Sequence, residues 1–166
     1  MIAVLIFGSR DVPDRRPVWT VLNGIAAWRA DPAEPIVVIE GGCPSGADLY
    51  ARMWAANAPW SNIHHEPYPP DRRRRDNRRF YERNVRMARR LYELRDQGAE
   101  TQAWGSVSKP LEASRGSKLM AGILADFGLP YLLTRVYAAS SDALQEAGVP
   151  DGPTNRAPFI GRIRRR

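Results

Sequence analysis

Several residue types are scarce in this chain of 166 residues, and each scarcity excludes a class of protein. The one cysteine, Cys43, allows no disulfide within the chain and excludes a four-cysteine metal site. The two histidines, His64 and His65, are adjacent on a predicted strand, where they would point to opposite faces and could not share a metal ion. We therefore expect neither a metal nor a cofactor.

Long apolar runs are also missing. No stretch approaches the roughly 20 apolar residues that a membrane-spanning helix needs. The apolar N-terminal stretch is typical of a strand rather than of a signal peptide. These features, with the single cysteine, predict a cytoplasmic protein that does not associate with membranes.

Positive charge is abundant, and it comes almost entirely from arginine. The net charge is +7, with 23 arginines and two lysines. Ten arginines lie within 71–90, and four more within 162–166. Such clusters suit a phosphate-bearing partner, either a small ligand or a nucleic acid. A solvated helix face plus a charged tail explains them equally well, so nucleic-acid binding stays open as an alternative.

The apolar periodicity switches repeatedly between strand and helix. Strands are predicted at 2–7, 36–39, 63–68, 101–104 and 130–136. Helices are predicted at 17–29, 46–57, 78–97 and 116–127, the third with Tyr81, Val85, Ala88 and Tyr92 facing inward. This alternation predicts an α/β fold, a Rossmann-like three-layer sandwich with a mostly parallel sheet of about five or more strands. Residues 1–137 would form this domain, and 138–166 a C-terminal extension with a short helix and a basic, flexible tail.

Two glycine-bearing turns each follow an apolar strand. The first is Gly8-Ser9-Arg10, and the second runs from Gly41 to Asp48. Backbone N–H groups in such turns, with a helix N-terminus behind them, are suited to bind phosphate. Neither turn has the G-x-G-x-x-G spacing, and the chain has no G-x-x-x-x-G-K-[ST] run. The turns predict a nucleotide-type ligand at the carboxyl edge of the sheet.

Four segments occur in order at strand–helix junctions: GSR at 8–10, GGCPSGAD at 41–48, PPD…RN at 69–84 and SRGS at 114–117. This set resembles the SLOG superfamily and, within it, the YspA-like, cpYpsA-related group. It is distantly similar to the Lonely Guy phosphoribohydrolases and the DNA-processing protein A family. The resemblance implies binding of a nucleotide or a nucleotide-derived ligand. The ligand-binding residues that it implies are Gly8, Ser9, Arg10, Gly41, Gly42, Gly46, Asp48, Arg83, Asn84, Ser114, Arg115, Gly116 and Ser117.

The resemblance bears on catalysis as well. Lonely Guy enzymes carry a P-G-G-x-G-T-x-x-E motif whose glutamate takes part in cleaving the N-glycosidic bond, and the alignment puts Met120 at that position. This favours binding over hydrolysis, as in a sensor or a sequestering protein. If the chain is phage-encoded, the protein would act in the host cytoplasm. No catalytic residue is assigned. The alternatives are a nucleotide hydrolase of the N-glycosidase type, with Asp48, Asp71 or Glu112 as general acid or base, and a single-stranded DNA-binding protein.

Self-association is a further expectation from the resemblance. Relatives in the superfamily often dimerise through helices that flank the site. We therefore expect a homodimer or a higher homo-oligomer, with the helix at 78–97 as the contacting surface.

Overall fold

The computed structural model describes residues 1–29 and 31–136, in which five strands alternate with four helices. The strands are β1 (Ile2–Gly8), β2 (Ile36–Glu40), β3 (Ile63–Pro67), β4 (Glu100–Val107) and β5 (Tyr131–Arg135). The helices are α1 (Arg16–Trp28), α2 (Gly46–Asn57), α3 (Arg78–Asp96) and α4 (Arg115–Asp126). A short 3₁₀ turn, Leu111–Ala113, precedes α4. The predicted extension at 138–166 lies outside the described residues.

The five strands form one parallel sheet in the order β3-β2-β1-β4-β5. β1 lies at the centre because its run of apolar residues can be buried on both faces. It pairs with β2 from Ile2 opposite Ile36, and with β4 from Ile2 opposite Glu100 to Gly8 opposite Ser106. The predicted Rossmann-like α/β fold is confirmed.

Helices cover both faces of the sheet, and alternate residues of β1 enter two separate cores. On one face Val4 and Ile6 pack with α1 and α2, whose buried residues include Val18, Leu22 and Trp54. On the other face Leu5 and Phe7 pack with α3 and α4, whose buried residues include Met87, Leu91 and Leu124. The three-layer arrangement leaves the carboxyl ends of the strands as the edge where loops meet helix N-termini.

The fourth strand is longer than the sequence predicts. It was expected at 101–104, but it spans Glu100–Val107. The missed residues at its carboxyl end, Gly105, Ser106 and Val107, are buried, but only the last has a large apolar side chain, so they give little apolar signal. Backbone pairing with β1 on one side and β5 on the other holds the strand over its whole length.

The inward face of α3 also differs from the prediction. Tyr81 and Tyr92 were expected to face the core, yet they are 51% and 40% exposed. The buried residues of this helix are Asn84, Met87, Ala88, Leu91 and Leu94. A polar residue, Asn84, begins the buried stripe, and this hides the stripe from a search for apolar periodicity.

Among the described residues, no helix is both long enough and apolar enough to cross a membrane.

Candidate ligand cavity at the carboxyl edge of the sheet

The strand order reverses direction at β1 and β4. From β1 the chain proceeds through β2 to β3 on one side, and β4 and β5 then lie on the other side. The connections leaving β1 and β4 therefore diverge, which opens a crevice beyond their carboxyl ends. A cavity of about 560 Å³ occupies this crevice. Its size falls within the range of small-molecule sites.

Most residues of the predicted ligand site meet at this cavity. Those that line it are Gly8, Ser9, Arg10, Asp48, Arg83, Asn84, Ser114, Arg115, Gly116 and Ser117. They come from the turn after β1, the first turn of α2, the first half of α3 and the start of α4. Gly41, Gly42 and Gly46 are not among the described residues of the lining.

These three glycines shape the turn behind the cavity wall. Gly46 has φ +70°, and a Cβ atom there would lie 2.1 Å from the Ser9 carbonyl oxygen. Gly42 also has φ +70°, and its Cβ would lie 2.7 Å from Pro69 Cα. At Gly41 a Cβ would lie 2.8 Å from Arg83 Nη1. Gly42 and Gly46 thus let backbone segments approach more closely than any side chain permits, and Gly41 leaves room for the side chains of Arg83 and Asp48.

Three serine hydroxyls form a chain across the cavity. Ser9 Oγ lies 3.0 Å from Ser114 Oγ, and the Ser114 hydroxyl donates to Ser117 Oγ at 2.9 Å. No side chain among the described residues caps the N-terminus of α4, where Arg115, Gly116 and Ser117 supply the first N–H groups. Free helical N–H groups beside hydroxyl donors form a site with the chemistry that an anion requires.

Arg83 is held firmly by the protein itself. Its guanidinium donates to the Gly41 carbonyl at 3.0 Å, to Cys43 Sγ at 3.4 Å, and twice to Asn84 Oδ1 at 2.8 and 3.0 Å. Asp48 Oδ2 lies 4.0 Å from Arg83 Nη1 and accepts a hydrogen bond from the Cys43 N–H at 3.2 Å. This network fixes the second glycine turn against α3, so the pair 83–84 positions one wall of the cavity.

Cys43 lines the cavity but is poorly suited to nucleophilic chemistry. Burial raises the pKa of its thiol, and the nearby charge of Asp48 raises this pKa further. A reactive thiolate needs the opposite shift. The thiol is therefore protonated near neutral pH and acts as a packing group.

Two other arginines at the cavity are not engaged by carboxylates. Arg10 and Arg115 are exposed and form no ion pair within the described part of the chain. Lys109, by contrast, pairs with Asp11 at 3.1 Å, and the Ser108 hydroxyl donates to Asp11 at 2.7 Å. The Ser108 hydrogen bond is the main reason that the pKa of Asp11 is lowered. The two arginines thus leave the cavity with positive charge available for a ligand.

Sequence reasoning missed a buried carboxylate directly beneath the second turn. Glu40 is fully buried at the end of β2, where Oε2 accepts the Gly42 N–H at 2.6 Å and Oε1 lies 3.1 Å from His65 Nε2. Arg52 Nε lies 3.8 Å from the same oxygen. Burial raises the pKa of Glu40, and these partners only partly offset it. An acidic residue that ends a fully apolar strand was the available signal.

Replacing this carboxylate should change how stability depends on pH. Because the pKa of Glu40 is raised on folding, the unfolded chain loses this proton first as pH rises from about 4.3. Between that pH and the raised pKa, the free energy of unfolding of the wild type should therefore fall relative to that of Glu40→Gln, with a limiting slope of about 1.4 kcal/mol per pH unit. Urea denaturation of both proteins at several pH values measures this difference. Parallel pH curves for the two proteins would contradict the expectation.

Of the three acids considered for acid–base chemistry, Asp48 alone lines the cavity in the described structure, and Asp71 and Glu112 do not. Met120 also lines it, with 1% of its surface exposed. The described residues contain no group of three or more His, Cys, Asp or Glu side chains that could hold a metal ion. Phe80, Asn77, Lys109 and Asp11 line the cavity too, although no motif singled them out.

The fold and the cavity together define a class: an all-parallel, Rossmann-like α/β protein with a crevice of mixed polar and apolar lining at its topological switch point. Within that class, residues 2–74 match the family described as YAcAr: YspA, cpYpsA-related SLOG family. The predicted family is thereby confirmed. No curated protein and no solved structure matches the chain. At most, this match indicates nucleotide-related binding or processing.

The matched segment covers only part of the cavity. It contains the two glycine turns of residues 8–10 and 41–48. The contributions of α3 and α4, including Arg83 and Ser117, lie beyond it. It is therefore the structure, and not the family match, that brings the glycine turns and the residues of α3 and α4 together around one cavity.

Proposed function

We propose that the protein binds a nucleotide or a nucleotide-derived ligand in this cavity, as a sensor or a sequestering protein. The observation that carries the proposal is the serine chain Ser9–Ser114–Ser117 at the uncapped N-terminus of α4, with Arg10 and Arg115 beside it. Phosphate oxygens accept hydrogen bonds from hydroxyl groups, helical N–H groups and guanidinium groups. The ligand's phosphate is expected to occupy this end of the cavity.

Thermal unfolding against a panel of compounds tests the proposal. The panel holds nucleotides, cyclic oligonucleotides, ADP-ribose compounds and short single-stranded DNA. A ligand present at 100 times its dissociation constant should stabilise the protein by about 2.7 kcal/mol, which raises Tm by several degrees for a domain of this size. A rise with a small nucleotide is expected. No rise with any nucleotide at millimolar concentration would overturn the proposal.

An enzymatic role is the weaker candidate. Among the described residues, the cavity holds two carboxylates, Asp11 and Asp48, and Asp11 is engaged by Ser108 and Lys109. Asp48 is 6% exposed and accepts a backbone hydrogen bond, so it is poorly placed to exchange protons with a substrate. Chromatography after long incubation with bound nucleotides would detect released base. Base release that is abolished in Asp48→Asn would replace the binding proposal with hydrolysis.

Exposed arginines support single-stranded DNA as a second partner. Arg72, Arg73, Arg75, Arg78 and Arg89 are exposed and have no acidic partner within salt-bridge distance among the described residues. Binding through phosphate contacts alone should weaken steeply as salt rises. A thermal shift that appears only with DNA, and that disappears with added salt, would move the binding function from the cavity to this surface.

A further inference from the structure

Phe80 is an aromatic side chain with no place in the core. It lies near the start of α3, lines the cavity and is half-buried. It belongs to neither of the two hydrophobic clusters that the described residues form. The cavity is lined by both polar and apolar residues, and this half-buried ring is available to contact a ligand in it.

Three guanidinium groups surround this ring. The Arg79, Arg10 and Arg83 Cζ atoms lie 4.7, 5.5 and 5.9 Å from its centroid. Arg79 and Arg83 are tethered, because they donate hydrogen bonds to the carbonyl oxygens of Arg74 and Gly41. Arg10 reaches across from the turn after β1. The ring contact is the one interaction that the described structure gives its guanidinium.

The geometry points to Phe80 as the platform on which the base of the ligand stacks, with Arg10 closing over the opposite face of the base. This inference rests on the proposed function and names the part of the ligand that the phosphate site leaves undefined. Aromatic rings and guanidinium planes are the two surfaces on which nucleobases stack in proteins. A base between them needs its two neighbours roughly 7 Å apart, twice an ordinary contact distance of about 3.5 Å. The Arg10 side chain is exposed and its guanidinium has no hydrogen bond in the described structure. It can therefore move outward from 5.5 Å to the roughly 7 Å that a stacked base requires.

The position of Phe80 relative to the serine chain is consistent with one ligand that spans both. The ring and the hydroxyl groups line the same cavity of about 560 Å³, with Phe80 on α3 and Ser114 and Ser117 at the start of α4. The phosphate would lie at α4 and the base at α3. The ligand class is therefore a nucleoside phosphate with an aromatic base, rather than a sugar phosphate alone.

Calorimetry with two kinds of probe separates the base from the phosphate. The probes are the common nucleoside 5′-monophosphates and ribose 5-phosphate, which differ by the base. The wild type should bind at least one nucleotide about fivefold or more tightly than ribose 5-phosphate, because that factor is the lower end of what a stacked base contributes. Phe80→Leu should remove this advantage and leave ribose 5-phosphate binding unchanged, whereas Phe80→Trp should retain it.

Tyr81→Leu serves as the matched control, since Tyr81 is the neighbouring aromatic residue on α3, is 51% exposed and does not line this cavity. Its binding should equal that of the wild type. Equal losses for both probes in Phe80→Leu would show that the ring only positions the arginines, and would overturn the inference. So would a wild type that binds ribose 5-phosphate as tightly as every nucleotide, although phosphate binding itself would then stand. A wild type that binds neither kind of probe would overturn the inference, whereas the proposed function would fall only if the whole thermal panel also gave no rise in Tm.

Discussion

Gly46→Ala is expected to lower the free energy of unfolding by about 3 kcal/mol or more, since it combines backbone strain with a steric overlap. The residue has φ +70°, and the new Cβ would lie 2.1 Å from the Ser9 carbonyl oxygen and 2.7 Å from Arg10 Cα. Both contacts are with backbone atoms, so no side chain can rotate to relieve them. The turn after β1 would have to move away from the start of α2. Urea denaturation with linear extrapolation gives the change in stability.

Gly24→Ala is the matched control for this experiment. Gly24 lies within α1, and a Cβ there would meet nothing within 4 Å. Alanine should stabilise the helix by up to about 1 kcal/mol, because it restricts the unfolded chain and favours helix. The same glycine-to-alanine substitution should thus lower the free energy of unfolding at position 46 and raise it at position 24. A Gly46→Ala protein as stable as the wild type would show that the two turns are not packed as described.

Gly116→Asp is expected to weaken binding of an anionic nucleotide by at least 100-fold while leaving the fold intact. A Cβ at Gly116 would meet nothing within 4 Å, so a side chain can begin there without steric overlap. A carboxylate in the first turn of α4 interacts favourably with the helix dipole, so stability should be unchanged or slightly higher. The same negative charge would occupy the N–H groups that we assign to the phosphate and repel it at close range.

Gly116→Asn tests whether charge is the cause. Asparagine has nearly the same shape as aspartate but carries no charge, so it should cost much less affinity. Calorimetry on the nucleotide identified by the thermal panel, with Tm as the check on folding, measures both variants. Equal affinity in wild type and Gly116→Asp would place the phosphate elsewhere. This position is a better probe than Gly42, where any side chain would collide with the backbone of Pro69.

The sequence was sufficient to predict the sheet and its helices because their apolar patterns are local. The predicted bounds of β1, β2, α2 and α4 differ from the observed ones by at most one residue at each end. The order of the strands, by contrast, follows from pairing between distant segments. β4 lies beside β1 although it comes fourth in the chain, and its half-polar sequence gives no sign of this central position.

Motif reasoning predicted cavity residues in turns and in the first halves of helices, and missed residues that belong to no motif. Ser9 and Ser117 are in motifs, and both line the cavity. Glu40 was missed because it ends a strand and is buried below the turn, where only the folded packing brings it to Gly42. Phe80 was missed because an aromatic residue near a helix start is indistinguishable, in sequence, from a core residue. The misassigned inward stripe of α3 has the same origin, since Asn84 is buried.

The hydroxyl contact between Ser9 and Ser114 joins residues that are 105 positions apart in the chain. The cavity therefore exists only when β1 and β4 have paired and α4 has docked, so it depends on contacts between distant segments of the chain. A ligand that contacts both serines would hold the turn after β1 and the start of α4 together for as long as it stays bound. Opening of that edge would then need the ligand to leave first, so resistance to proteases should increase with ligand occupancy. In a cell, the lifetime of the protein would then follow the concentration of the compound that it binds.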